Sequence, residues 1–213
     1  MPLPALQTPS WVPLLLGDLE LQVSADYLRD AENVLWTPYP DEASVALAQW
    51  DAILPTPTLV DAIEAQARRL YFTSFSEAKQ SRAVAVASSH ACDELIANTP
   101  GLVACHKKDI VVGQSRRSHP QKVAIYGGRW RSGGRVQPLF PPPRSLSSIG
   151  HSLRYRDYSH GARGVRLSAR YRGTSVRLYD CFQDPDVIRR LNNSGVKLDP
   201  SDLTYVVPPR TTR

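Results

Sequence analysis

The stretch RGVRLSARYRGTSVRLYD, residues 163–180, predicts a β-hairpin. Residues typical of strands lie on both sides of Arg172-Gly173, where we expect the turn. Alternate side chains of an extended chain point to opposite faces. The apolar side chains of the first strand are predicted to face a core: Val165, Leu167, Ala169 and Tyr171. The others form an opposite, arginine-rich face: Arg166, Ser168, Arg170 and Arg172.

Charge is divided unevenly between the two halves of the chain. Residues 1–100 carry five Lys or Arg against thirteen Asp or Glu, a net charge of −8, and residues 101–213 carry twenty-one against seven, a net charge of +14. Because a planar guanidinium binds carboxylate or phosphate through two hydrogen bonds, arginines in such number suggest anionic partners. Three interpretations stay open: the halves pack with complementary charge, the second half faces an anionic molecule, or the arginines occupy solvated positions without a role.

The regular elements predicted elsewhere alternate between helices and strands. LPTPTLVDAIEAQARRL (54–70) has Thr56 as a helix N-cap, Pro57 in the first turn and apolar residues at helical spacing. Further helices are predicted over 43–53 and over 77–97, the second with a core-facing stripe of Val84, Ala87, Ala91 and Leu95. Strands are predicted over 19–23, 33–40, 109–112 and 122–126.

These elements predict an α/β or α+β fold. The chain of 213 residues, 42% of them hydrophobic, is long enough to bury one core. We expect a proline-rich extended arm over 1–17 and a single globular domain over 18–213, with helices mainly in 43–97 and strands mainly in 109–179. The acidic, helical first half would pack on a mixed or antiparallel sheet formed by the basic second half.

Cysteine usage and hydropathy indicate a cytoplasmic protein. The three cysteines, Cys92, Cys105 and Cys181, lie at long spacings without a CxxC pair, so neither a zinc site nor a disulfide framework is indicated. The apolar stretch WVPLLL (11–16) follows no Lys or Arg and is too short to span a bilayer. We therefore predict no membrane association, no metal and no cofactor.

Five segments, in order, resemble a family of uncharacterised bacterial proteins. They are LPTPTLVDAI, HKKDIVV, VAIYGG, VQPL and YRDYSHGARGVRL, spread over residues 54–167. The corresponding family motifs read LPTxKMVDAI, HKKDVV, VAIYGWH, IQPL and YxDYSHGIRL. This chain has Gly128 and Arg129 where the family has Trp and His. The resemblance implies no particular activity.

The stretch YRDYSHG (155–161) contains the three residue types of a hydrolytic triad. If it is extended, Asp157 and Ser159 point to one face and His160 to the other, so they cannot form a triad among themselves. We therefore expect His160 to find a partner in HKKD (106–109), with His106 and Asp109 joining Asp157 and His160 in one polar cleft. The alternative is that both segments are turns whose polar groups satisfy the backbone.

In that cleft His160 would act as a general base or acid and Asp157 or Asp109 would orient it. Ser159 would be a nucleophile or a substrate contact, although water as the nucleophile fits the strand geometry better. The predicted substrate contacts are Lys107, Lys108, Tyr158, Arg166 and Trp130. The first hypothesis is thus a hydrolase-like protein that binds an anionic or polar substrate.

The competing hypothesis is an assembly protein, or one that binds nucleic acid or another polyanion, without catalysis. GRWRSGGR (128–135) interleaves Trp130 with arginines, and the hairpin over 163–180 adds a row of donors beside tyrosines. Phosphate contacts together with aromatic stacking bind single strands with little sequence preference. The sequence contains no recognised nucleic-acid-binding motif, and it does not predict an oligomeric state.

Overall fold

The computed structural model describes residues 3–75, 80–96, 101–113, 119–137, 151–192 and 198–205. Within these ranges the chain forms an α+β fold, which confirms the predicted class. The strands are β1 (Trp11–Leu16), β2 (Leu19–Ser24), β3 (Ala52–Ile53), β4 (Arg68–Arg69), β5 (Val103–Ala104), β6 (Lys108–Val111), β7 (Ala124–Arg129), β8 (Arg135–Gln137), β9 (His160–Gly161), β10 (Val165–Tyr171) and β11 (Thr174–Arg177). The α-helices are α1 (Pro40–Ala48), α2 (Pro57–Gln66), α3 (Arg82–Ile96) and α4 (Pro185–Leu191). Two 3-10 turns cover Leu178–Gln183 and Pro200–Leu203.

The predicted hairpin forms one side of a five-stranded antiparallel sheet, with β10 inside the sheet and β11 at its edge. Its order is β1-β2-β10-β11, with β3 paired to the first residues of β10. Tyr171 pairs with Thr174 across a two-residue turn, and Arg172 and Gly173 have φ angles of +50° and +80°. Positive φ at both central residues is the geometry that matches the twist of a tight hairpin. The alternation along β10 is as predicted: its apolar side chains are buried, apart from a partly buried Tyr171, and its arginines face outward.

Both halves of the chain contribute strands to this sheet. Residues 11–16, which the sequence places in an extended arm, are extended, but they form β1 and pair with β2 along its whole length. Leu14 is fully buried, and Pro13 is tolerated because β1 lies at the edge of the sheet. The segment is therefore an edge strand of the sheet and not a separate arm.

A second sheet, of order β8-β7-β6-β9, carries the candidate functional residues. Strands β6 and β7 are antiparallel, and the predicted strand over 122–126 continues to Arg129 before it turns back into β8. The short strand β9 pairs with β6 in parallel. Strands β4 and β5 form a separate parallel pair.

Helices α1 and α2 begin at prolines. In α2 the hydroxyl oxygen of Thr56 accepts a hydrogen bond from the amide of Leu59 at 3.2 Å, which confirms Thr56 as the N-cap. Helix α1 begins at Pro40 and not at residue 43, and β3 occupies residues 52–53 instead of its predicted last turn. The predicted strand over 33–40 is wrong, since Leu35 makes an isolated bridge with Arg29 and two prolines follow it.

Helix α3 has a different buried face from the one predicted. The buried residues are Ala85, Ser88, Ser89 and Cys92, whereas Ala87 and Leu95 are exposed. Both serines accept hydrogen bonds from other elements, the first from Lys107 and the second from the amide of Leu35. The helix turns a polar stripe inward because buried donors require acceptors there. Residues 77–79 and 97 of the predicted helix, and Pro138 and Leu139 of the VQPL motif, lie outside the described residues.

Arginines of the second half form ion pairs with acids of the first half. The pairs are Arg129 and Arg135 with Glu64, Arg135 with Asp61, Arg154 with Asp41, Arg156 with Glu42, Arg172 and Arg190 with Asp18, and Arg177 with Asp51. These contacts support the interpretation in which the two halves pack with complementary charge.

Arg163 is fully buried and connects the two main sheets. Its guanidinium donates to the backbone carbonyls of Ser24, at the end of β2, at 2.8 Å and of Val103, in β5, at 2.7 Å. Its Nε lies 3.6 Å from the carboxylate of Asp109, in β6. The guanidinium carbon lies 4.4 Å from the ring centroid of Tyr27. A buried charge is tolerated when it is paired and hydrogen-bonded in this way.

We expect Arg163→Lys to lower the free energy of unfolding by about 3 to 5 kcal/mol. The planar guanidinium contacts two carbonyls and one carboxylate, and a lysine ammonium cannot reach all three. The measurement is urea unfolding followed by circular dichroism. Arg170→Lys, at an exposed position on β10, is the matched control and should stay within about 0.5 kcal/mol of the original protein. An unchanged urea midpoint for Arg163→Lys would contradict the expectation.

Candidate functional site

The two segments expected to form the site are neighbours in the second sheet. Strand β6 begins at Lys108, which pairs with His160 of β9, and Asp109 pairs with Gly161. The amide of Lys108 donates to the carbonyl of Ser159 at 2.8 Å. The sheet thus brings HKKD next to YSHG, as the sequence predicts.

The YRDYSHG segment is a turn up to Ser159, which is the alternative that the sequence left open, and the extended geometry considered for it is wrong. The amide of Ser159 donates to the Asp157 carboxylate at 2.8 Å, and the amide of His160 donates to the Asp157 carbonyl at 3.1 Å. An aspartate readily accepts from the amide two residues ahead, which bends the chain. Because of this bend, Asp157, Ser159 and His160 lie around one turn instead of on opposite faces.

Asp157 is the centre of the resulting cluster. It accepts hydrogen bonds from the hydroxyl of Ser159 and, at 2.9 Å, from the hydroxyl of Tyr155. The Nε2 atom of His160 lies 3.8 Å from the Asp157 carboxylate, and neither ring nitrogen of His160 has a hydrogen-bond partner among the described residues. A Ser–His–acid relay has the imidazole in the middle. Here the carboxylate takes that position, so Ser159 is not paired with His160 as a nucleophile with its base.

Burial sets the charge states of this cluster. It lowers the pKa of His160 to about 3, because the imidazolium would lose its hydration. Burial raises the pKa of Asp157, but the nearby imidazole, the Ser159 hydrogen bonds and Lys108 outweigh it, and the net pKa is below the usual value. Since His160 is neutral at neutral pH, we attribute the ionised state of Asp157 mainly to its hydroxyl and amide donors. The cluster is then a carboxylate beside a neutral imidazole.

His106 does not face the same carboxylates. Its Nε2 lies 3.0 Å from the carboxylate of Asp26, and its ring packs edge-on against Tyr27 at 5.0 Å. Asp109 accepts from the hydroxyl of Tyr27 at 2.8 Å and faces Arg163. The single cleft expected around both histidines is therefore replaced by two arrangements, and each histidine has its own acid. Asp26 and Tyr27 were missed because no motif or spacing marks them in the sequence.

Asp109 is ionised at neutral pH in spite of its burial. Burial raises its pKa to about 6, Arg163 and the Tyr27 hydroxyl oppose the rise, and Glu64 adds to it. The carboxylate lies behind Gly127, where an added Cβ would be 3.5 Å from it and 3.3 Å from Glu64. With a φ of +87°, Gly127 gives the backbone a conformation that other residues rarely adopt. Asp109 serves the interior of the fold as the counter-ion of Arg163.

Lys107, predicted as a substrate contact, is buried and only 1% exposed. Its amine donates to the hydroxyl of Ser88 at 3.1 Å and to the carbonyl of Tyr158. No carboxylate lies within ion-pair distance of it among the described residues, and burial lowers its pKa to about 8. The amine therefore connects the turn at Asp157 to helix α3, and it does not face solvent.

The other predicted contacts lie in different surroundings. Tyr158 is buried, and its hydroxyl exchanges hydrogen bonds with the backbone of Phe75. Arg166 stacks on Trp11 at 4.6 Å, and Trp130 packs edge-on against Phe72 at 5.1 Å. Of these, only Tyr158 lines the cavity above Asp157. The Lys108 side chain is half-buried.

Two cavities reach the polar residues from outside. One of about 390 Å³ has Asp157 and Tyr158 in its wall, together with Trp36, Arg82 and Arg156. The other, of about 500 Å³, is lined by residues around Asp26. Residues 4–10 contribute to the rims of both. Asp157 is thus a buried residue that lines the wall of the first cavity.

The fold and this cluster define an α+β protein with a carboxylate–histidine pair beneath a surface cavity. No protein-family model, curated protein or solved structure matches the chain. The ordered motifs therefore remain a resemblance in sequence. In the described part of the chain, no three His, Cys, Asp or Glu side chains are grouped so that they could hold a metal ion. No helix there is long and apolar enough to cross a membrane.

Stability should rise with pH between about 8 and 10.5 through Lys107. The unfolded chain keeps this proton up to about pH 10.5 and the folded protein up to about 8, so the unfolded state binds more protons in between. Relative to Lys107→Met, the original protein should gain up to about 3 kcal/mol across this range. Urea unfolding at pH 7.5 and pH 10 measures it, with exposed Lys122→Met as the control for loss of a lysine. Parallel pH profiles for the original protein and Lys107→Met would contradict the assignment.

Proposed function

We propose that the protein is hydrolase-like and cleaves a polar, anionic substrate bound in the cavity above Asp157, with water as the nucleophile. The observation that carries the proposal is the position of Asp157. It is an ionised carboxylate, held by two hydroxyl donors, in the wall of a cavity of about 390 Å³. A positioned carboxylate within reach of a bound water is a general base.

Asp157 accepts the proton of the attacking water and returns it to the leaving group, so water adds across the cleaved bond and no other reactant is needed. Ser159 and Tyr155 hold the carboxylate in position through hydrogen bonds. His160, with its Nε2 3.8 Å from the carboxylate and outside the lining of the cavity, is a positioning residue. Because burial keeps the His160 ring neutral, it places no positive charge beside the Asp157 carboxylate.

Arg156 is the group best placed to bind an anion. Its side chain is 40% exposed at the cavity, and its guanidinium stacks on Tyr39 at 4.6 Å. Its ion pair with Glu42 is long, at 3.8 Å, and makes no hydrogen bond, so the N–H donors of Arg156 stay available to a ligand. Arg82, the other arginine of the cavity, is already paired with Asp30 and Glu32. An anionic group on the substrate would therefore bind Arg156 while the scissile bond lies over Asp157.

We expect Asp157→Asn to lower kcat/KM by about 100- to 10,000-fold, because the amide keeps the Ser159 hydrogen bond but cannot take a proton. The assay uses p-nitrophenyl carboxylate and phosphate esters that carry an anionic group. Arg156→Gln should raise KM with little change in kcat, and Arg170→Gln, on the outer face of β10, is the control. The proposal is wrong if the original protein turns over neither ester class or if Asp157→Asn keeps full activity.

The pH profile should lack the acidic limb of an ordinary histidine base. Activity falls as pH drops through the pKa of the base, and the pKa of Asp157 is held below its usual 3.8. We expect a constant kcat/KM from about pH 6.5 to 8, above the pKa of about 6 of Asp109, with circular dichroism confirming that the protein stays folded. A half-maximal rate near pH 6.5 would instead assign the base to an exposed imidazole.

The cellular setting that we propose is the cytoplasm, since the three cysteines are buried and free. The alternative function was binding of a polyanion by GRWRSGGR together with the arginine face of β10 and β11, and the second of these surfaces has less support. Arg172 is paired with Asp18, Arg177 with Asp51, and Arg166 lies on Trp11. Acids of the first half thus neutralise two of the arginines of this face, and Trp11 covers a third.

A further inference from the structure

Three exposed arginines differ from the paired arginines of the second half. Arg68 and Arg69 form strand β4, and Arg131 follows β7. None of the three has a carboxylate within ion-pair distance in the part of the chain that the structure describes. The Nε of Arg69 donates to the backbone carbonyl of Glu64 at 3.2 Å, which leaves its terminal nitrogens for a ligand. Uncompensated positive charge is therefore concentrated at this place.

Two large aromatic side chains are exposed beside these arginines. Tyr71 is 40% exposed and Trp130 is 38% exposed. The guanidinium carbon of Arg131 lies 5.9 Å from the ring centroid of Tyr71. The amide of Phe72 donates to the carbonyl of Arg129 at 2.7 Å, which fixes the segment after β4 beside the end of β7. We call Arg69, Tyr71, Trp130 and Arg131 the aromatic–arginine strip.

The groups of the strip lie close together where β4 and β7 end, since Arg131 approaches Tyr71 and Trp130 packs on the neighbouring Phe72. Leu70 and Phe72 are buried, so the intervening Tyr71, and Arg69 two residues before it, point outward together. The ring of Trp130 is held edge-on against Phe72, with an interplanar angle of 84°. Rings that are already fixed lose little conformational freedom when a ligand stacks on them. The Trp130 ring is therefore already held in position when a planar ligand stacks on it.

The charged groups below the strip cancel one another. Glu64 pairs with both Arg129 and Arg135 at 3.0 Å, and Arg135 also pairs with Asp61. Two acids are thus matched by two arginines. Arg69 and Arg131 have no carboxylate within ion-pair distance among the described residues, so their positive charges are not compensated there.

We propose that the aromatic–arginine strip binds single-stranded nucleic acid. Bases stack on Trp130 and Tyr71, and the phosphates between them contact Arg69 and Arg131, the combination used where strands are bound with little sequence preference. A duplex hides the faces of its bases, so it offers the two rings nothing to stack on. The strip shares no residue with the cavity above Asp157. The inference is therefore independent of the proposed hydrolytic function.

The test is fluorescence anisotropy of a fluorescein-labelled 20-nucleotide oligo-dT, titrated with the full chain at several salt concentrations. Trp130→Ala and Tyr71→Ala should each weaken binding by about 5- to 100-fold, the value of one stacked base. Arg131→Gln should reduce the slope of log affinity against log salt by about 1. Arg170→Gln removes the same charge from an exposed position outside the strip and should leave the affinity unchanged.

Competition experiments distinguish binding of single strands from binding of other polyanions. Unlabelled oligo-dT should displace the probe far better than a duplex of the same length or heparin at equal charge. The proposal is overturned if the original protein does not bind at low salt, if the duplex competes equally, or if Trp130→Ala binds as tightly as the original. The last result would mean a surface that attracts polyanions by charge alone. Urea midpoints of each variant check that folding is intact.

Discussion

The buried guanidinium of Arg163 is the interaction on which the rest of the structure depends. A charge without water is stable when its donors find acceptors and an opposite charge lies nearby, and here Ser24, Val103 and Asp109 meet both needs. The pKa of Asp109, raised to about 6, still leaves this acid ionised at neutral pH. The end of β2, β5 and β6 are thereby fixed to one another. Since β6 pairs with β9, the same contacts position the turn that carries Asp157.

Charge complementarity between the halves explains most of the unusual composition. Each exposed pair contributes little to stability, roughly 0 to 1 kcal/mol, because water screens it. The pairs matter more because they determine which arginines remain without a paired acid. Acids of the first half neutralise Arg172, in the hairpin turn, and Arg177, in β11. Among the described residues, Arg69 and Arg131 have no carboxylate within ion-pair distance, and Arg156 has only a distant one, so these arginines keep N–H donors for a ligand.

The parts of the fold that depend on local patterns could be predicted from the sequence. The hairpin over 163–180 and the N-cap at Thr56 are encoded by neighbouring residues, and the structure has both. The features that were missed depend on distant contacts. Helix α3 buries Ser88 because Lys107, nineteen residues later, needs an acceptor. Asp26, the partner of His106, lies far away in the sequence and has no motif around it. Whether residues 155–161 form a turn or an extended segment stayed open in the sequence, because the Asp157 side-chain acceptor competes with strand geometry.

Burial of the polar cluster has a consequence for the direction of proton exchange. His160 and Lys107 are both shielded from solvent, and burial lowers the pKa of each. Burial disfavours the charged imidazolium and lowers the pKa of His160, so the ring does not hold a proton taken up by Asp157. The hydroxyls of Ser159 and Tyr155 are donors to the same carboxylate and cannot remove that proton either. A proton bound by Asp157 therefore leaves toward the cavity, where a substrate would be bound, and the interior of the protein serves to hold the carboxylate in place.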